Sequence, residues 1–225
     1  MPAKKKPASA KSARSTSKEK ASAPKTPAPK APAPAPRPVT AEEEPVFSTE
    51  LPVGDLMDPA TLDPILKPRT VAIIGASPRP GSIGKVVLSN IMGSDFNGIL
   101  YPVHPKAKSI NSMKVYPSIS EVPDEIDLAY VIVPRDYVLP VVEECGRKGV
   151  KGLCVISAGF KEIGGEGVKR EEKLLALVRE YNMRMVGPNC LGLVNMTPEV
   201  RLNGTFAPGR PVSGRLAFLS QSGAL

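Results

Sequence analysis

Three glycines and two serines lie within the ten residues from Gly75 to Gly84, directly after a run of β-branched residues. Glycines let the main chain approach a phosphate closely, and the free N–H groups at a helix N-terminus favour an anion, as do the hydroxyls of Ser77 and Ser82. The spacing matches neither the GxGxxG fingerprint nor the GxxxxGK[ST] P-loop. We therefore predict a phosphate-binding loop, with a simple turn capped by a serine as the alternative.

A second loop, Tyr101–Lys108, bears on which nucleotide would bind. Domains that prefer NAD place Asp or Glu after the second strand to hold the ribose 2′-hydroxyl. This loop has no carboxylate, whereas Lys106 and Lys108 would suit a phosphate on the ribose. NADP and coenzyme A (CoA) both fit that description, and ordinary solvent-exposed lysines are the alternative.

Three further loops complete the candidate site. Val133 and Pro134 offer an apolar surface for an adenine or a pantetheine, and Ser157–Gly159 is small enough for its main chain to touch a ligand. Asn189 either ties its own loop together or meets a ligand amide.

Neither a metal site nor a catalytic residue is predicted in this chain. His104, the only histidine, lies between two prolines with no second ligand nearby in the sequence. Cys190 has no base that would make it a thiolate. The cysteines number three and lack CxxC spacing, which argues against a disulfide framework and a zinc site.

These loops require a scaffold of alternating strands and helices. Short runs rich in β-branched residues alternate with segments of helical period, which predicts right-handed βαβ units in a Rossmann-like, doubly wound parallel sheet of the α/β class. Ligands bind such sheets beyond the carboxyl ends of the strands, where all five loops lie. The predicted strands are residues 70–74, 98–103, 127–133, 152–156 and 184–186, and the predicted helices are 83–91, 136–148 and 166–181.

Composition divides the chain further. Residues 1–46 hold ten of the 26 prolines and too few large apolar side chains to form a core, so we expect a disordered tail rich in Lys, Ala and Pro. Residues 47–66 are interpreted as a linker, residues 67–200 as the Rossmann-like domain, and residues 201–225 as the truncated start of a second, flavodoxin-like domain. That start would be a strand over Gly214–Leu219, followed by a helix from Ser220.

Charge follows the same division. The tail has ten Lys/Arg and four acids, a net +6 of the chain's +8. The remaining +2 gives no reason to expect nucleic-acid binding by the folded part, and the tail itself is a solvated spacer or, alternatively, an electrostatic anchor for nucleic acid. No segment has the apolar core of an export signal or the roughly 20 apolar residues of a membrane span, so we expect a cytoplasmic protein.

Six motifs, in order, resemble the CoA-binding domain of ADP-forming acyl-CoA (acetyl-CoA) synthetases, which is related to the succinyl-CoA synthetase alpha subunit. The resemblance covers residues 62–225. It rests on Gly-Ala-Ser with Gly-Ser-Ile-Gly, Tyr-Pro-Val-His-Pro-Lys, Val-Ile-Val-Pro, Ser-Ala-Gly-Phe-Lys-Glu, Gly-Pro-Asn-Cys-Leu-Gly and Ser-Gln-Ser-Gly-Ala-Leu. One departure is His104, which stands where the family usually has Asn.

The resemblance implies a ligase that converts a carboxylic acid, CoA and ATP to acyl-CoA, ADP and phosphate through an acyl phosphate and a phosphohistidine. CoA would be the cofactor bound by this chain, whereas ATP and Mg²⁺ would bind an ATP-binding domain or subunit of the same ligase. The residues implied to bind CoA are Gly75, Ala76, Ser77, Gly81, Ser82, Ile83, Gly84, Lys106, Val133, Pro134, Ser157, Gly159 and Asn189.

The family's phosphorylated histidine belongs to the second domain, and His104 cannot replace it from the CoA loop. We therefore expect the 225 residues alone to be inactive, which an assay with acetate, CoA and ATP would check. Two alternatives stay open at this point. One is a non-catalytic CoA-sensing module, as in relatives fused to an acetyltransferase, and the other is an NADP-binding oxidoreductase domain.

Overall fold

Short, buried strands of apolar residues form the centre of the structure, a computed structural model that describes residues 62–220. Within those residues the strands are β1 Thr70–Ile74, β2 Ile99–Val103, β3 Ser109–Ile110, β4 Met113–Lys114, β5 Leu128–Val131, β6 Gly152–Val155, β7 Arg184–Val186, β8 Gly192–Asn195 and β9 Leu202–Thr205. The α-helices are α1 Asp63–Leu66, α2 Ile83–Gly93, α3 Val138–Lys148 and α4 Glu166–Glu180.

Five of the strands form one parallel sheet in the order β2-β1-β5-β6-β7. Taken in chain order these are strands 2-1-3-4-5, the flavodoxin-like variant of a doubly wound sheet. The strand order reverses between β1 and β5. The connections that follow these two strands therefore run to opposite faces of the sheet, which leaves a crevice at the carboxyl ends of β1 and β5. The predicted Rossmann-like parallel sheet is confirmed.

Alternate strand residues face two separate cores. Val71 and Ile73 of β1 pack with α1, α2 and β9 on one face, while Ala72 and Ile74 pack with α3 and α4 on the other. Because both faces are covered, the central strands are apolar at nearly every position, and this explains why they lack polar alternation.

The helices and strands predicted between residues 70 and 186 all form, most with slightly different bounds. The helix predicted to begin at residue 136 begins at Val138, after a 3-10 turn over Arg135–Tyr137. Pro140 therefore lies in the first turn of α3, where its missing N–H costs no hydrogen bond. Gly149, with φ 82°, ends α3 in the left-handed conformation that glycine adopts without strain.

The hairpins β3–β4 and β8–β9 are additions that the sequence did not predict. Strand β9 lies beyond residue 200, yet Leu202 is fully buried against the first core face, and Asn90 of α2 donates to Thr205 O at 2.7 Å. The division of the chain into domains stays a prediction, but β9 packs with the Rossmann-like sheet.

The predicted strand over Gly214–Leu219 is wrong for the part of the chain that the structure describes. Its residues have no strand geometry and no partner strand, and the side chains of Leu216, Phe218 and Leu219 are exposed. A single extended segment cannot satisfy its main-chain hydrogen bonds without a neighbour. The predicted tail, most of the predicted linker and the helix expected after Ser220 lie outside the described residues, and α1 falls at the end of the linker range.

No helix among residues 62–220 is long and apolar enough to cross a bilayer.

Candidate functional site

A cleft of about 1020 Å³ opens at the carboxyl ends of the parallel strands, at the reversal between β1 and β5. Loops that follow β1, β5, β6 and β7 line it. The structure therefore brings ten of the thirteen predicted site residues together, namely Gly75, Ser77, Gly81, Ser82, Ile83, Gly84, Val133, Pro134, Ser157 and Asn189.

The glycines of the first loop allow close contact between main chains. Gly75 has φ +97°, and a Cβ there would lie 2.0 Å from Ile132 O in the loop after β5. A Cβ on Gly84 would lie 2.1 Å from Gly75 O. Larger residues at either position would push α2 away from β1 or close the crevice, so both glycines hold the cleft in shape.

The serines of this loop bond to the main chain of the same turn. Ser77 Oγ accepts from the Arg79 N–H at 3.2 Å, and Ser82 Oγ donates to Arg79 O at 2.8 Å. Ser82 is the N-cap of α2 but makes no side-chain cap bond, so no side chain caps the first N–H groups of the helix. Uncapped N–H groups, together with the positive end of the helix dipole, suit an anion.

Ser157 links two of the loops. Its Oγ donates to Val133 O at 2.6 Å and accepts from the Val133 N–H at 3.1 Å. The hydroxyl is thus used within the protein and holds Val133 and Pro134 in place as the apolar wall of the cleft.

Asn189 lies in the loop after β7 with φ 55°, and its N–H donates to Ser157 O at 3.1 Å. Its side chain is exposed on the cleft and has no hydrogen bond within the described residues. The side chain of Asn189 is therefore the amide that is free to meet a ligand.

Three predicted site residues do not line the cleft. Ala76 is fully buried behind the first loop. Gly159 donates its N–H to Glu162 Oε1 at 2.5 Å, and a Cβ there would lie 2.6 Å from Arg135 Cδ. Burial alone would raise the pKa of Glu162, but this bond and the one from the Phe160 N–H at 3.1 Å lower it below its usual value.

Lys106, the third of them, is exposed in the loop after β2. That loop begins beside the cleft, because the Gly75 N–H donates to Val103 O at 3.0 Å. His104 Nδ1 accepts from the main-chain N–H groups of Lys106 and Ala107, at 3.1 and 3.0 Å. The histidine thus shapes the loop that presents Lys106, a role that an Asn side chain also fulfils in turns.

The sequence analysis did not assign several residues that line the cleft. Two of them are cationic, namely Arg79 within the first loop and Arg135 after Pro134. Both lie in loops that follow predicted strands, so their position in the sequence was a signal that could have identified them. Phe206 was missed because residues beyond 200 were assigned to another domain. The others are Ile132, Ile156, Cys190 and Leu191, whereas Ala158 lies within the predicted segment Ser157–Gly159.

Cys190 has a second cysteine beside it. Its Sγ lies 3.7 Å from Sγ of Cys154, which is fully buried in β6. The hydrogen bond between the two thiols lowers the pKa of Cys190, while the same bond and burial raise the pKa of Cys154. No group of three His, Cys, Asp or Glu side chains that could hold a metal ion occurs within residues 62–220.

Comparison with known proteins gives a family for this fold and cleft. Residues 69–196 match the family model described as CoA binding domain. The match includes every strand of the parallel sheet and all the loops after β1, β2, β5, β6 and β7, and it favours CoA over NADP as the ligand class.

Characterised relatives give the same result. The 4-hydroxybutyrate–CoA ligase [ADP-forming] of Nitrosopumilus maritimus is 46% identical over 73% of this chain, which corresponds to 24% of that ligase. The acetate–CoA ligase [ADP-forming] I subunit alpha of Pyrococcus furiosus is 46% identical over 73% of this chain and 36% of the subunit. The chain thus spans about a quarter to a third of the length of these relatives.

A solved structure agrees with both relatives. The dinucleotide forming acetyl-coenzyme A synthetase 1 of Ca. Korarchaeum cryptofilum, in complex with phosphate and ADP, aligns with a TM-score of 0.69 at 43% identity. The alignment covers 72% of this chain and 34% of that one. The chain belongs to the CoA binding domain family and is homologous to the corresponding region of ADP-forming CoA ligases.

Proposed function

We propose that the cleft at the β1–β5 reversal binds CoA. The observation that carries the proposal is the N-terminus of α2, which has no side-chain cap and adjoins a glycine-rich turn in this cleft. A phosphate placed there would accept main-chain hydrogen bonds from the first turn and would interact favourably with the helix dipole. Arg79 adds a positive charge to the same end of the cleft.

The remaining walls suit the rest of the CoA molecule. Val133 and Pro134, held by Ser157, form a flat apolar wall for the adenine or the pantetheine arm. Asn189 offers an amide that can pair with the amides of the arm. Lys106 follows β2 on an exposed loop and would contact a ribose phosphate. Gly159 lies behind Arg135 and does not form part of the cleft surface.

We further propose that this CoA module serves an ADP-forming ligase that joins a carboxylic acid to CoA with ATP. Relatives bear the names of acetate–CoA and 4-hydroxybutyrate–CoA ligases, which supports a carboxylic acid as the second substrate. ATP and Mg²⁺ would bind an ATP-binding domain or subunit of that ligase, and the cytoplasm is its expected compartment.

Replacement of Ser82 tests the phosphate site. Asp is as good an N-cap as Ser, so Ser82→Asp keeps α2 stable while it places a carboxylate where a CoA phosphate would sit. Repulsion between the two anions should weaken CoA binding by about tenfold or more, measured by calorimetric titration.

Ser82→Asn is the matched control, because Asn has nearly the size and shape of Asp but adds no charge. We expect CoA affinity within about threefold of the unmodified chain for this variant, which is under 1 kcal/mol. If Ser82→Asp binds CoA as tightly as Ser82→Asn, the phosphates do not lie at the N-terminus of α2 and the proposed site is wrong.

A further inference from the structure

Two thiols, one in a strand of the sheet and one in a loop, meet beside the cleft. Cys154 lies in the centre of β6, paired in register with Val186, and Cys190 follows four residues after that partner. Their Sγ atoms are 3.7 Å apart, which is van der Waals contact between sulfurs. The structure assigns this pair as a disulfide-forming site that reacts with low-molecular-weight disulfides entering the cleft.

Access and burial give the two cysteines different parts in the reaction. Cys190 lines the cleft and is half-buried, whereas Cys154 is fully buried, so a small disulfide that enters the cleft meets Cys190 first. The hydrogen bond between the two thiols lowers the pKa of Cys190, and a thiolate is the attacking species in thiol–disulfide exchange. Cys190 is therefore the first nucleophile and Cys154 the resolving thiol.

The chemistry balances in two exchange steps. The Cys190 thiolate attacks one sulfur of the small disulfide, which forms a mixed disulfide and releases the first small thiol. The Cys154 thiol then attacks Cys190 Sγ and passes its proton to the departing sulfur, which forms the Cys154–Cys190 bond and releases the second small thiol. Two protein thiols are oxidised and one small disulfide is reduced to two thiols.

Bond formation would change the cleft. The sulfurs must close from 3.7 Å to about 2.0 Å. Because β6 lies within the sheet and Cys190 on a loop, the loop moves and takes Asn189 and Leu191 with it. Both of these residues line the cleft. If CoA binds as proposed, oxidation should weaken its binding by about tenfold.

The test is incubation of the 225-residue chain with oxidised glutathione, followed by peptide mapping without reduction. We expect a Cys154–Cys190 cross-link, a loss of two hydrogen atoms in intact mass, and a fall in free thiols from three to one. Cys145 is buried on the opposite face of the sheet, so Cys145→Ser is the control that must form the same cross-link.

Cys154→Ser should stop the reaction at a glutathione adduct on Cys190, and Cys190→Ser should show no adduct on Cys154. The mapping of the unmodified chain decides the proposal even if these variants do not fold. Free thiols at both positions, a stable adduct on Cys190 or a cross-link between two chains would overturn it. A cross-link in a chain that binds no CoA in either redox state would refute the proposed function and leave the thiol pair standing.

Discussion

At the scale of single residues, several side chains that look suited to a ligand instead bond to the protein itself. The Ser157 hydroxyl is used by both polar groups of Val133, and His104 Nδ1 holds two main-chain N–H groups. A sequence shows that a polar residue follows a strand, but it does not show whether the side chain of that residue already bonds to a neighbouring loop. The free groups of the cleft among the described residues are consequently the α2 N-terminus, Arg79 and the side chain of Asn189.

Asp127 joins the amino ends of β1, β5 and β6. Its carboxylate accepts from the Arg69 N–H at 2.9 Å, the Thr70 N–H at 3.3 Å and Lys151 Nζ at 3.1 Å. Partial burial alone would raise the pKa of Asp127, but these bonds outweigh burial and the pKa lies below its ordinary value.

The lowered pKa predicts how stability depends on pH. Because the folded pKa lies below the unfolded value of about 3.9, the carboxylate stabilises the fold above that pH, and this contribution is lost as the pH falls through the folded pKa. Asp127→Asn should lower the free energy of unfolding by about 1–3 kcal/mol at pH 7, and the difference should narrow below about pH 4. Urea denaturation at a series of pH values measures both effects.

Glu125→Gln provides the control, since Glu125 is exposed and pairs only with Lys151 at 3.7 Å. This variant should change stability by less than about 0.5 kcal/mol at pH 7. A difference for Asp127→Asn that stays constant down to about pH 2.5 would contradict the assigned charge interaction.

At the scale of elements, strand β9 is the piece of the domain that the sequence analysis left out. Leu202 is fully buried in the core and packs with residues of α2. Leu202→Ala should lower the free energy of unfolding by about 2–5 kcal/mol, as expected for a buried leucine, in urea denaturation.

Val194→Ala in the paired strand β8 is the comparison, because Val194 is 45% exposed. It should cost less than about 1 kcal/mol. Equal, small effects of the two substitutions would mean that β9 does not belong to the core of this domain.

The elements that could be predicted share one property, a pattern strong enough to stand alone. Thr70–Ile74 and Leu128–Val131 are unbroken apolar runs, and α3 and α4 have regular apolar stripes. The two hairpins have strands of only two to four residues, which are too short for a clear pattern. Strand β9 has the sequence Leu-Asn-Gly-Thr, and its residues are buried because α2 packs against them. Gly214–Leu219 has a strand-like pattern but no neighbour to pair with.

At the scale of the whole molecule, the topology accounts for most of the site. Parallel order brings the loops after β1, β5, β6 and β7 to one edge, so identifying strand ends was enough to find ten cleft residues. Distances between loops were not accessible from the sequence. For this reason the contact between Cys154 and Cys190 emerged only from the structure.

Coenzyme A binding is the central claim, and calorimetric titration of the 225-residue chain tests it most directly. We predict saturable binding of CoA at one site per chain and no comparable binding of NADPH, because the family match favours CoA. Saturable binding of NADPH, with no heat of binding for CoA up to about 1 mM, would contradict the account.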